Sequence, residues 1–196
     1  MTTHEMPLWP DLFIVRQFFE PLDCEKLVAE MKAGEGAAAI VYGRGTSGTV
    51  DQNVRRTFRA TPSNGTVELV KQRLWSVKEA LEKHFDVSLS ACEEPQFLRY
   101  REGDFFVAHQ DGNTGLLRLD TEQRRVSVSI FLSRESELPG PHTHTGGSLV
   151  FRAPADREQF RMTAEPGTLV AFRSETTHEV TPVTHGERLS IVSWYR

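Results

Sequence analysis

Hydrophobic positions repeat at two different spacings along this chain, and the change falls near Pro95. Upstream, Val67, Val70, Leu74, Val77 and Leu81 recur at intervals of three and four. That is the stripe of an amphipathic helix, predicted over residues 65–85 with Ser63 or Asn64 as its cap. An earlier helix opens at Glu20-Pro21-Leu22-Asp23, with Asp23 able to cap it and Leu27, Val28 and Met31 near helical spacing. It should stop at Gly34-Glu35-Gly36, because glycine adopts the dihedrals that end helices. Before it, DLFIVRQFF (11–19) reads as a strand, and 37–42 as another short one. Downstream of Pro95, strand-like segments follow one another at 96–101, 105–110, 124–132, 147–152, 158–163, 168–173, 178–181 and 188–195. Gly, Pro, Asp and Asn punctuate them, and residues 133–146 read as an irregular surface loop.

Many short strands with such turns predict a sandwich or barrel. With the helices placed first, the fold class is mainly β with supporting helices (α+β): a jelly-roll, or double-stranded β-helix, core buttressed by the N-terminal helices. No repeat or linker divides the chain. It reads as one domain, 1–196, with helical support over about 20–90 and the core over about 95–196.

Composition narrows the possibilities. A chain of 196 residues is long enough to bury a real core. Its net charge of −4 provides no global basic field, so nucleic acid is not an expected partner. Cys24 and Cys92 lie far apart and suit reduced thiols. No run is long enough to span a membrane, and the N-terminus lacks a basic region followed by an apolar one, so the expected location is the cytoplasm.

The candidate chemistry sits in the β half. His109 and Asp111 stand two residues apart, a spacing that puts both on one face of a strand. Gly112-Asn113 can turn the chain just afterwards, and His178 is expected from a strand across the barrel. Two imidazoles and a carboxylate suit non-heme Fe(II) with open positions for a co-substrate and O2. Arg188 and Ser190 share another strand face, where a guanidinium and a hydroxyl can seat a carboxylate such as the distal one of 2-oxoglutarate.

Other features divide between chemistry and plain structure. The loop Gly43–Gly48 lacks the Gly-Lys-Ser/Thr ending of a phosphate loop. Arg55, Arg56 and Arg59 read equally as a solvated strand face or as anchors for an acidic substrate group. His142-x-His144 could begin a cupin-type site, but no carboxylate follows, so both read as exposed loop histidines that border the entrance at most. His84 sits where a helix end favours a cation, His4 in a terminus and His185 in a turn.

From about Phe97 to Arg196 the sequence resembles the prolyl-hydroxylase branch of the Fe(II)/2-oxoglutarate dioxygenases. RYREGDFFVAHQDGN, RRVSVSIFLS, GGSLVF, PGTLVAF, HEVTPV and RLSIVSWYR follow in the family's order, and LFIVRQFFEPLDCEKLV is a fainter N-terminal echo. The resemblance implies Fe(II) held by His109, Asp111 and His178, with 2-oxoglutarate held by Arg188, Ser190 and Tyr100. It also draws attention to Trp194, six residues beyond the arginine, which with Arg55 and Arg56 is a candidate substrate contact. Two departures stand out: Phe131 and Phe106 occupy positions where relatives often carry tyrosine, and the first removes one possible co-substrate contact. Asp111 argues for hydroxylation, since related halogenases replace that carboxylate by a small residue.

What the resemblance implies is hydroxylation of an unactivated C–H, of a prolyl residue or a proline-like or other amino-acid substrate, with release of succinate and CO2 and with ascorbate as a possible reductant. A tailoring oxygenase acting on a free small molecule is the alternative, and a non-catalytic metal-binding jelly roll is a third reading. Partners of the two histidines' far nitrogens are expected but are not named by the sequence.

Overall fold

A computed structural model describes residues 10–39, 51–112, 121, 123–138, 140–153 and 159–196. The Gly43–Gly48 loop, residues 40–42 of the expected short strand, Asn113 and His4 lie outside the described residues. In chain order the elements are β1 (Leu12–Val15), α1 (Pro21–Ala33), β2 (Gly36–Ala38), β3 (Arg55–Arg56), β4 (Phe58–Ala60), α2 (Asn64–Ser76) and α3 (Lys78–Phe85). Then come β5 (Gln96–Tyr100), β6 (Phe105–His109), β7 (Val126–Phe131), β8 (Arg134–Glu135), β9 (Thr143–Gly146), β10 (Leu149–Arg152) and β11 (Gln159–Met162). The last are β12 (Leu169–Arg173), β13 (His178–Val180), β14 (Val183–Gly186) and β15 (Arg188–Tyr195).

Among the described residues the strands form a major sheet, β1-β12-β7-β15-β5-β4-β2, a minor sheet, β11-β10-β13-β6-β3, and a small sheet, β14-β9-β8. Their pairings are antiparallel, apart from β8 with β9. This is the jelly-roll arrangement that the spacing predicted.

The central strands explain how one sheet serves two interiors. β7 reads Val-Ser-Val-Ser-Ile-Phe and is buried throughout. Val126, Val128 and Ile130 join the helix-side core with Leu27, Val28, Met31, Val70, Leu74, Leu81 and Phe85. Phe131 belongs to a different cluster, with Leu149, Phe151 and Phe172. β15 divides the same way: Leu189, Ile191 and Tyr195 pack toward the helices, while Arg188, Ser190 and Trp194 alternate with them on the opposite face. The Tyr195 hydroxyl donates to the Leu74 carbonyl at 2.6 Å, tying α2 to the sheet. Ser129 on β7 and Arg188 on β15 therefore mark the face toward the cavity rather than the face toward water.

Several local expectations change. The 65–85 helix is two, α2 and α3, separated at Val77 (φ −100°, ψ −2°). The Ser63 cap holds, its side chain accepting from the Thr66 N–H. Asp23 does not cap α1; Glu20 occupies that position, and Asp23 lies in the first turn. Gly34 ends α1 in extended conformation, φ −74°, not a left-handed one. A Cβ there would stand 3.2 Å from both the Glu30 and Thr61 carbonyl oxygens, so close approach is what favours glycine. Residues 133–146 are not simply a loop: they carry β8 and β9, and His144 is 1% exposed. That overturns the exposed reading of His144. His185 lies in β14, not a turn, and pairs with Glu102 at 3.1 Å. His84 pairs with Asp11 at 3.0 Å.

Candidate metal and co-substrate site

His109 closes β6 and His178 opens β13, and the two are direct partners across that antiparallel ladder. The second histidine thus comes from the neighbouring strand of the same sheet, not from across the barrel. Asp111 lies just past the end of β6, in a turn held by hydrogen bonds. The N–H groups of Asp111 and Gly112 donate to the Ser174 carbonyl at 2.9 and 3.1 Å. The Gln110 side-chain amide donates to the Glu175 carbonyl at 2.6 Å. Gly112 is required by crowding: a Cβ there would meet the Thr121 carbonyl oxygen at 2.4 Å and Arg124 Cβ at 2.5 Å. The 110–112 turn and the 174–176 segment before His178 are therefore fixed to each other.

His109 Nε2 lies 3.5 Å from Asp111 Oδ1, and His178 Nε2 lies 3.4 Å from Asp111 Oδ2. The three ligand atoms fall within 4.8 Å of one another, a group that could hold a metal ion. The far nitrogens have the expected partners. His109 Nδ1 is 2.8 Å from the Val107 carbonyl oxygen and His178 Nδ1 is 2.9 Å from that of Thr176. A carbonyl only accepts, so each Nδ1 carries the proton and each Nε2 presents its lone pair beside Asp111. This donor set fits a divalent transition metal with a 2-His-1-carboxylate preference.

Charge supports the same reading. Burial alone would raise the Asp111 pKa, but His178, His109 and the Trp194 indole N–H together hold it well below the usual carboxylate range. Burial, then the neighbouring His109, push His178 down to about 4, against the pull of Asp111. At neutral pH the site is an ionised carboxylate beside a neutral His178. Phe106 stacks on His109 at 3.5 Å between centroids, so the phenyl ring serves here as packing.

Trp194 belongs to this cluster. Its ring carries the Arg124 guanidinium at 3.8 Å. Arg124 in turn grips Glu93 with two bonds of 2.8 and 2.7 Å. Glu93 and Arg124 were not singled out in the sequence, since residues 93 and 124 meet only when the sheet forms.

Across the interior, on β15, Arg188 is 2% exposed. Its Nη1 donates to Ser190 Oγ at 2.8 Å, while its Nε has no partner. Tyr100 is its ladder partner on β5, and the guanidinium lies 5.1 Å over that ring and 5.8 Å from Phe131. Burial lowers the Arg188 pKa. A cavity of about 330 Å³ connects this cation with the His-Asp-His group and is lined by Tyr100, Asp111, Trp194 and Arg55 among others.

The three arginines upstream separate. Arg55 lines the cavity and covers Phe106 at 4.8 Å. Arg56, the next residue on the strand, points the other way and lies over Phe105 at 5.6 Å, outside the cavity lining. Arg59 pairs with Glu94 at 3.6 Å on the surface. Exposed His142 and buried His144 form no metal group, which removes the cupin-type alternative among the described residues.

Comparison with known proteins agrees with this geometry. Residues 95–196 match the model of the 2OG-Fe(II) oxygenase superfamily. A PKHD-type hydroxylase of Acidovorax ebreus is 27% identical over 168 residues, which cover 85% of this chain and 71% of the relative. The crystal structure of a Pseudomonas putida prolyl-4-hydroxylase superposes with a TM-score of 0.72 at 23% identity, over 95% of this chain and 92% of that one. A Trichoplax adhaerens prolyl hydroxylase in complex with a hypoxia inducible factor peptide fragment gives 0.70 at 17% identity, over 95% and 84%.

Proposed function

Because the chain belongs to the 2OG-Fe(II) oxygenase superfamily, we propose that it hydroxylates a prolyl or proline-like residue, with His109, Asp111 and His178 as the Fe(II) ligands. Fe(II), 2-oxoglutarate and O2 are the family's reactants, and the enzyme class is dioxygenase. When bound, the iron would activate O2, which is the oxidant: one oxygen atom goes into succinate as 2-oxoglutarate loses CO2, and the other goes onto the substrate carbon.

The chain's own residues bind and orient. The Val107 and Thr176 carbonyls hold both imidazoles with Nε2 inward. Trp194 donates to Asp111 and fixes its rotation. Arg188 and Ser190, with Tyr100 beside them, receive the distal carboxylate of 2-oxoglutarate, so the oxoacid end reaches the metal. The observation that carries the reading is the buried Arg188 facing this cavity with its Nε unpaired. Burial of the guanidinium is only partly offset by the charge of Glu135, no carboxylate bonds its Nε, and a carboxylate of the co-substrate would complete the pairing.

The cavity is at the small end of the range for ligand sites, about 300–1,000 Å³. It must hold the co-substrate and the reacting group together, which favours a ring the size of pyrrolidine over a bulky natural product. Relatives named as PKHD-type hydroxylases and prolyl hydroxylase neighbours support the same substrate class. Incubation with Fe(II), 2-oxoglutarate and a panel of proline-containing peptides, free proline and its analogues tests it. The expected product carries one added oxygen on proline; oxygen appearing only on non-prolyl small molecules would overturn the substrate assignment.

A further inference from the structure

One buried histidine remains without a role. His144 sits on β9 next to Gly146-Gly147, and its ring and the Arg188 stem both border Gly147. A Cβ on Gly147 would meet Val183 Cγ2 at 2.8 Å, Arg188 Cδ at 3.1 Å and His144 Cδ2 at 3.4 Å. Gly147, at φ +64°, is thus what allows the histidine and arginine to share this corner.

The hydrogen bonds favour one tautomer. Ser133 Oγ accepts from the Leu189 N–H at 2.8 Å. Ser133 Oγ lies 3.1 Å from His144 Nδ1, and no other acceptor for its hydroxyl hydrogen is found among the described residues, so that hydrogen is assigned to Nδ1. Burial, then the charge of Arg188, push His144 down to about 4, so the ring is neutral at pH 7. A neutral ring accepting at Nδ1 must carry its hydrogen on Nε2. His144 Nε2 is buried and has no partner, as is Arg188 Nε. Both residues border Gly147, and Arg188 also lines the cavity; two buried donors without partners on neighbouring side chains, one of them a cation, suit an anion.

We propose that His144 is a specificity-determining residue for the co-substrate, its Nε2–H donating to the distal carboxylate of 2-oxoglutarate beside Arg188. The inference rests on the reading of Arg188 given above. It assigns a donor to the seat at which Phe131 lacks a hydroxyl.

Calorimetry on the Zn(II)-loaded protein tests this without turnover, using 2-oxoglutarate and 2-oxovalerate, a chelating oxoacid of the same length that lacks the distal carboxylate. His144→Leu should weaken 2-oxoglutarate about ten- to hundredfold and leave 2-oxovalerate unchanged. His144→Gln, which can put an amide N–H near the same point, should recover most of the loss. In the unaltered protein, histidine ¹⁵N spectra should show His144 protonated on Nε2, with that signal shifting on addition of 2-oxoglutarate but not of 2-oxovalerate. Equal weakening of both oxoacids, no weakening of either, or an Nδ1-protonated ring would overturn the inference. If Arg188→Met weakens 2-oxoglutarate but His144→Leu does not, only the histidine's part fails. If 2-oxoglutarate binds Arg188→Met as well as the parent, the seat itself fails and this inference with it.

Discussion

Arg188→Met separates stability from binding: little change is expected in the ligand-free protein, and loss of the co-substrate's stabilisation. In the ligand-free protein the guanidinium is buried, and burial already lowers its pKa. Replacing buried ion pairs by apolar side chains of similar volume is neutral or stabilising by about 1–4 kcal/mol, and relief of the Arg188 desolvation is taken to lie within that range. Against that stand the Ser190 hydrogen bond, worth about 1 kcal/mol, and the contact with Tyr100, worth about 0.5–1 kcal/mol. The net expectation for the ligand-free variant lies between about −1 and +2.5 kcal/mol relative to the parent. For a chain of this length that is a Tm between about 4 °C below and 10 °C above the parent. With 2-oxoglutarate at a hundred times its Kd, the metal-loaded parent should gain about 2.7 kcal/mol, and the variant should gain almost nothing. Thermal unfolding with and without the co-substrate measures both. A ligand-free variant that melts well below the parent, or one that keeps the 2-oxoglutarate gain, would refute the claim that Arg188 serves this anion rather than the fold.

Further expectations concern other parts of the molecule. Trp194→Phe keeps the ring under Arg124 but removes the N–H that Asp111 accepts; metal affinity, read by Mn(II) titration without co-substrate, should fall about 10- to 100-fold. Burial pushes the Cys24 thiol up to about 11, so iodoacetamide at pH 8 should leave Cys24 of the native protein unmodified while labelling it quickly in denaturant. In the metal-free protein His144 and His178 are each pushed down to about 4, whereas in the unfolded chain they take up protons near pH 6.5. Their contribution is therefore full above about pH 6.5 and is lost as pH falls toward 4; His144→Gln should flatten this acid limb by about 3 kcal/mol in urea unfolding.

How much of this was legible beforehand follows from which interactions are local. Strand spans after Pro95 were readable because turn residues bound each segment, and β15 matched its expected range, 188–195. His109, Asp111, His178, Arg188, Ser190 and Tyr100 were all named in the sequence, and the fold brings them around one cavity wall or beside it. Their geometry was not readable: the direct His109–His178 pairing depends on β6 and β13 being neighbours, a property of topology rather than spacing. His144 was misread because β9 is only four residues long and is flanked by turns, so burial there comes from β8 and β14, not from its own pattern. The break at Val77 carries no signal in the sequence, because the apolar stripe runs through it without proline or glycine. The Glu93–Arg124–Trp194–Asp111 chain joins four separate stretches, and no single stretch signals it.

The most direct test of the account is succinate formation from 2-oxoglutarate by the purified protein with Fe(II) and O2, compared with His178→Ala and Asp111→Ala. The account predicts succinate from the parent and its loss in both variants, each of which removes one of three ligands grouped within 4.8 Å. Succinate formation that persists unchanged in either variant would contradict the assignment of this site.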